Sequence, residues 1–178
     1  MVRYRRNFIP GGSLFFTVNL VERRLRLLTE NIEALRKAFR ETRARRPFTI
    51  EAIVVLPDHL HAIWSLPEND SDYATRWRLI KSGFSRALPA RERISESRSG
   101  KGERGIWQHR YWEHTLRDER DVARHMDYIH FNPVKHGLVT RVQDWPHSSF
   151  QRMVRLGIYP PDWAGDATDK GMNFGERS

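Results

Sequence analysis

The chain has 178 residues, room for one compact domain, and its 6 Trp, 5 Tyr and 9 Phe exclude disorder over most of its length. It has no cysteine, which removes disulfide scaffolds, thiol nucleophiles and thiolate metal sites. The longest aliphatic run, Ile53–Leu56, is far too short for a membrane helix, and the balance of charge is strongly basic, +9 with a pI near 10.4.

In chain order, a basic arm and the Gly11-Gly12 turn lead into Ser13–Leu20, whose alternation puts Leu14, Phe16, Val18 and Leu20 on one face of a strand. Thr29–Ala44 reads as a helix, with Thr29 as N-cap and Ile32, Leu35 and Phe39 at helical spacing. Pro47 ends it. Phe48–Leu56 and His59–Leu66 read as strands joined through Pro57-Asp58, a connection so short that the pair is an antiparallel hairpin. Ser71–Leu88 is helical, with Tyr73, Trp77, Ile80 and Phe84 on one stripe. Pro89–Gly105, almost without apolar residues, reads as a mobile basic surface loop. Tyr111–Leu116 is a short fourth strand, and Arg117–Phe131 a third helix that Pro133 and Gly137 stop. The order β-α-β-β-α-β plus a helix is the ferredoxin-like split βαβ plan, an α+β fold with two helices on one face of an antiparallel sheet. One domain over residues 1–165 and a flexible tail over 166–178 are expected.

The charge is unevenly spread. Residues 1–50 hold 12 basic and 4 acidic side chains and residues 76–117 hold 11 and 4, flanking an acidic block at 51–75 with no base and 5 acids. Most of the bases are Arg, which suits bidentate phosphate contact and stacking on bases. A nucleic acid is the expected partner, a merely solvated basic surface being the bland alternative. The N-terminus does not read as a signal peptide, so the expected compartment is the cytoplasm, in association with the nucleoid.

Two constellations carry chemistry. In Pro57-Asp58-His59-Leu60-His61-Ala62-Ile63-Trp64, strand alternation sets His59 and His61 side by side while Leu60, Ala62 and Trp64 enter the core. Two imidazoles on one rigid face are half of a divalent-metal site, or two structural histidines. On the last helix, Val122, Met126 and Ile129 are expected to face the sheet, whereas Asp121, Arg124, Tyr128 and Asn132 gather on another side with His125 at its edge. An exposed tyrosine and an Asn ending a helix is the plainer account. Taken together, an ion held by His59, His61 and the Asn132 oxygen would polarise a phosphodiester, and Tyr128 would attack phosphorus to form a phosphotyrosine.

With those residues in view, PDHLHAIW resembles the HUH motif of the single-tyrosine HUH transposases, and DYIHFNPVKHGLV resembles their nucleophile helix. The Asn-Pro-Val-Lys segment, YRRNFIPGGSLFFTVNL, RYWEHTLRD and DWPHSSF are similar to the subgroup of REP-associated tyrosine transposases, over roughly residues 3–165. The resemblance implies Tyr128 as nucleophile and His59, His61 and Asn132 as ligands of Mg²⁺ or Mn²⁺; the wider family carries Gln at the last position. It further implies a 5′-phosphotyrosine intermediate on single-stranded hairpin DNA, a REP-like palindrome with a flanking tetranucleotide, and a monomer, a dimer being the alternative.

Arg3, Arg5, Arg6, Gly11 and Gly12 are the candidates for gripping the tetranucleotide, and Arg76, Arg78, Lys81 and Arg86 for the hairpin phosphates. Glu113 and His114 are candidates for orienting groups beside the site. The sequence leaves open whether the resting site is assembled, has Tyr128 turned away from the metal until DNA binds, or is covered by the tail after Pro160. Against a transferase stands a hairpin-binding protein that has lost catalysis. A replication initiator or relaxase needs a longer chain, and a hydrolase using a metal-bound water would not need Tyr128.

Overall fold

The computed structural model describes residues 9–92, 94–165 and 174–175. Four strands, β1 (Ser13–Asn19), β2 (Thr49–Val55), β3 (His59–Ser65) and β4 (Trp112–Thr115), form one sheet in the order β2-β3-β1-β4. Every pairing is antiparallel, and β1 meets β3 with Thr17 opposite His61 and Asn19 opposite His59. The helices are α1 (Leu27–Glu30), α2 (Ile32–Arg45), α3 (Tyr73–Ala87), α4 (Glu96–Ser99), α5 (Glu119–Lys135) and α6 (Phe150–Arg155), with a 3₁₀ turn at Val142–Asp144. This is the split βαβ, α+β architecture. No helix among the described residues is long and apolar enough to cross a membrane.

The period-2 pattern divides the sheet into two faces. Leu14, Phe16 and Val18 of β1 and Leu60, Ala62 and Trp64 of β3 pack against α2 and α3. Trp64 is its centre, stacked on Trp77 at 4.2 Å and in contact with Phe16, Phe39 and Phe48. Phe15, Ala52, Val54 and Ile63 face the other way, against α5, the 3₁₀ turn and α6. That second face carries His59, His61 and Thr17 as well.

Three local readings differ from the sequence pattern. The first helix region is broken, because the Asn31 side chain bonds back to the Leu27 carbonyl at 2.9 Å and closes α1 before α2 begins. Pro133 does not end the last helix. It lies inside α5 within the final turn, where its missing N–H forfeits a single bond, and Gly137 at φ 67° terminates the helix instead. The Pro89–Gly105 loop is anchored. Arg104 holds Glu92 in an ion pair and donates to the carbonyls of Leu88 at 2.7 Å, Pro89 at 2.9 Å and Ser85, tying the loop to the end of α3.

Candidate functional site

The sheet brings His59 and His61 to one face, their ring centroids 5.0 Å apart and their planes at 85°, both essentially fully buried. Each has its Nδ1 engaged. His59 Nδ1 donates to Asp58 Oδ1 at 2.7 Å, and Arg23 donates to the other oxygen of that carboxylate at 2.7 Å. Burial alone would raise the Asp58 pKa, but the hydrogen bonds from His59 and Arg23 overcome it and hold the group down at about 2. His61 Nδ1 lies 2.8 Å from Thr17 Oγ1, whose single proton is donated to the carbonyl of Phe174 at 2.7 Å. His61 therefore donates from Nδ1, and in the neutral form of both histidines Nε2 carries the lone pair. An anchored Nδ1–H and a lone pair at Nε2 is the arrangement in which histidine binds a metal, and two imidazoles with an amide oxygen form a donor set that suits a divalent cation.

Helix α5 covers these rings. Tyr128 is 6% exposed, its ring centroid 5.2 Å from that of His61, and Asn132, one turn further on, is fully buried. The sheet-facing side of α5 is thus His125, Tyr128, Ile129 and Asn132, whereas Val122 and Met126 are only half-buried at its margin. Of the apolar triad expected to face the sheet, Ile129 is fully buried and Met126 packs at the edge of the same core, while Val122 is only half-buried and Tyr128 packs on the His61 imidazole. Continuation of the helix through Pro133 also brings Lys135 over the Tyr128 ring at 4.7 Å, its Nζ donating to the phenol oxygen at 3.1 Å. Phe174 stacks on the same phenol, with centroids 3.7 Å apart and planes at 14°. Tyr128 is turned in toward the imidazoles, with a tail residue laid on it.

A family model described as "Transposase IS200 like" matches residues 15–132. The REP-associated tyrosine transposase of Escherichia coli K12 is 50% identical over 177 residues, covering 99% of this chain and 98% of that one. The corresponding protein of Haemophilus influenzae is 48% identical over 93% of this chain and 95% of its own. A solved structure described as a REP-associated tyrosine transposase bound to a REP hairpin superposes with a TM-score of 0.87 at 49% identity, covering 100% of this chain and 99% of that one. The chain belongs to the IS200-like transposase family. It falls in the REP-associated tyrosine branch, and a transposase is an enzyme that nicks and joins DNA.

The structure distributes this transposase's other candidate residues widely. Arg3, Arg5 and Arg6 lie outside the described residues. Gly11, at φ 67°, packs on the backbone of Glu68 and donates to the Asp70 carbonyl at 3.1 Å, a bend that starts β1. Gly12 accepts from Leu66 N at 3.2 Å in the same bend. Arg76, expected on a DNA-facing surface, is instead 1% exposed; its guanidinium holds Asp70 at 2.7 and 3.1 Å and the carbonyls of Pro47 and Asp72. It joins the end of α2 to the start of α3. Arg78 and Arg86 are exposed on α3, while Lys81 donates to the Gln108 carbonyl at 2.9 Å and lies over Tyr111 at 5.1 Å. Glu113 and His114, neighbours on β4, point to opposite faces. Glu113 meets Tyr73 Oη at 3.3 Å on the α3 side, and only His114 shares the face with Tyr128.

Sequence reasoning missed Asp58, Thr17, Lys135 and His136 as residues of this region. His136 lies 5.3 Å from His59 between ring centroids. The seven-residue spacing from Tyr128 to Lys135, two helical turns, held the signal for the lysine, and the assumed stop at Pro133 hid it. His114, Asp121 and His125 also lie together, with side-chain ligand atoms within 4.8 Å. The imidazoles of His114 and His125 are stacked at 14°, however, so their planes do not converge on a single ion.

Proposed function

We propose that this transposase cleaves and rejoins single-stranded hairpin DNA of the REP type, through a covalent bond between Tyr128 Oη and a 5′ phosphate. The observation that carries this reading is the packing of Tyr128 against His61 with Lys135 at its oxygen, all within one chain. The 49% identical transposase solved in complex with a REP hairpin supports the substrate class.

The chain's own residues each have a part. Lys135 donates to the phenol oxygen and stabilises the negative charge that develops there as its proton leaves. Tyr128 gives its phenol proton to solvent water, Oη attacks phosphorus, the P–O3′ bond breaks, and the departing O3′ takes up a proton from water. The bond energy stays in the phosphotyrosine, so a 3′-OH returning to the same phosphorus reverses the step without a nucleoside triphosphate. His59, His61 and Asn132 would hold Mg²⁺ or Mn²⁺, which when bound supplies Lewis-acid polarisation of the phosphate. Asp58 and Thr17 fix the two rings so that both Nε2 atoms keep their lone pairs. Because nucleophile and ligands come from one chain, a monomer is sufficient. An enzyme that acts on such DNA belongs in the cytoplasm.

Covalent trapping tests the reading. Labelled hairpin DNA with a single-stranded flank is incubated with the protein and Mg²⁺ or Mn²⁺, then run on denaturing gels for wild type, Tyr128→Phe and His59→Ala. A shifted protein–DNA band in wild type alone is expected. Cleavage persisting in Tyr128→Phe would replace the covalent mechanism with a metal-activated water, and tight binding without cleavage in either ion would leave a binding protein.

A further inference from the structure

Beside the Tyr128 site lies a cleft of about 390 Å³ walled by Trp112 and His114 from β4, by Arg117, Arg120, Asp121 and Arg124 from the start of α5, and by Phe174. Its residues follow from register. Trp112 and His114 pair with Thr17 and Phe15 and so stand on the same sheet face as His61. Along α5, Arg120, Arg124, Tyr128 and Asn132 recur every fourth residue, a single stripe with a rise of about 6 Å per step. The stripe runs from two guanidiniums to the nucleophile and then to the proposed metal ligand.

The cleft gathers three arginines around acids that are already engaged. Its acids are committed. Asp118 accepts from the backbone of Asp121 at 2.8 Å. Asp121 accepts from His114 Nε2 at 2.9 Å, from Arg117 N at 3.1 Å and lies 3.1 Å from His125 Nδ1. Arg23, Arg46, Arg76 and Arg104 all hold carboxylates elsewhere in the fold. In contrast, the guanidiniums of Arg117, Arg120 and Arg124 are exposed and make no ion pair or hydrogen bond among the described residues. Three uncommitted guanidiniums in one cleft favour a polyanion. The indole of Trp112, packed against Gly175 and 38% exposed at the cleft wall, offers its open part as a surface of a kind on which bases stack.

We propose that this cleft is the binding track for the single-stranded DNA next to the scissile phosphodiester, with Arg117, Arg120 and Arg124 on its phosphates and Trp112 stacked on a base. The proposal deepens the reading of Tyr128 as the nucleophile and rests on it for the direction of the strand. The network of His114, Asp121 and His125 positions the cleft, joining β4 to α5, and does not itself touch the strand.

The test uses the full chain and two DNA probes, a hairpin with a single-stranded extension spanning the cleavage site and the same hairpin cut flush. Affinities are read by fluorescence anisotropy over a salt series for wild type, Arg120→Ala/Arg124→Ala, Trp112→Ala and Arg155→Ala, an exposed arginine outside the cleft. Thermal melts confirm that each variant is folded. Wild type is expected to prefer the extended probe. The double variant is expected to lose about tenfold or more on that probe alone, with the salt slope reduced by about two, and Trp112→Ala to lose about tenfold. Equal losses on both probes, losses matched by Arg155→Ala, or a wild type indifferent to the extension would overturn the proposal. Covalent product measured in the same samples keeps the two readings apart. A chain that discriminates the extension but forms no phosphotyrosine retains the track and loses the nucleophile, and one that forms it with indifferent binding does the opposite.

Discussion

The two faces of the sheet use burial for different ends. Toward α2 and α3, Trp64, Trp77, Phe16, Phe39 and Phe48 interlock, and the buried charge there, Arg76, is held by Asp70 and three nearby carbonyls. Toward α5, the same sheet buries His59, His61, Thr17, Tyr128 and Asn132, a costly choice for stability alone. A fold that needed only a core would repeat the first face. The second face spends stability on anchored imidazoles and a phenol beside a lysine, as the proposed active site requires.

The largest contrast comes from removing one side chain from each face. Trp64→Ala should cost about 3–5 kcal/mol, lowering the melting temperature by roughly 10 °C or more, with residual cleavage in whatever remains folded. Tyr128→Phe should abolish the covalent product and leave chemical denaturation nearly unchanged, since the ring stays and only its oxygen is lost. If Tyr128→Phe melted as severely as Trp64→Ala, the second face would be structural after all. Next in size, Lys135→Met should lower the rate of phosphotyrosine formation about 10²–10³-fold with little change in DNA affinity, measured by single-turnover kinetics.

Phe174 tests the comparison from the other side. It is buried, stacks on the Tyr128 ring and accepts from Thr17, so on the proposed reading its contacts would compete with substrate for that face. Phe174→Ala should raise the initial rate of covalent product several-fold, whereas an alanine at a core position such as Phe84 should only destabilise. A rate that fell with Phe174→Ala would make that ring part of the working site.

The first face was almost wholly legible in the sequence. Alternation in Ser13–Leu20 and His59–Leu66 and the stripe through Tyr73, Trp77, Ile80 and Phe84 assign its core, because apolar periodicity is a direct record of which side is buried. The second face was legible only where chemistry leaves a short motif, as at His59 and His61. On α5, periodicity found Ile129 but not its polar neighbours: Val122 and Met126 are half-buried, while Tyr128 and Asn132 are buried, Tyr128 against the His61 imidazole. Arg76 was misread for a related reason, since an arginine on a basic helix gives no sequence sign that Asp70 and the Pro47 carbonyl await it across a turn. Asp58, Thr17 and Lys135 depend on register and on a helix that passes through Pro133, which no local pattern announced.

Engaged polarity is therefore not by itself a mark of function, and the half-buried Glu92–Arg104 pair in the loop after α3 supplies the control. Glu92 is held at a pKa of about 2, chiefly by its hydrogen bonds from Arg104, which also secures the end of α3. A carboxylate whose pKa is lower in the fold than in the unfolded chain adds stability above the unfolded value, near 4.5, and loses it as the pH falls toward 2. Glu92→Gln should accordingly cost roughly 1 kcal/mol at neutral pH, about 2–4 °C in melting temperature, and the difference from wild type should shrink in melts taken between pH 5 and 3. Trypsin should cut the Pro89–Gly105 segment faster in this variant, while formation of the phosphotyrosine stays at the wild-type rate. A loss of cleavage without a loss of stability would instead join this loop to the α5 face, and the division of labour between the two sides of the sheet would have to be redrawn.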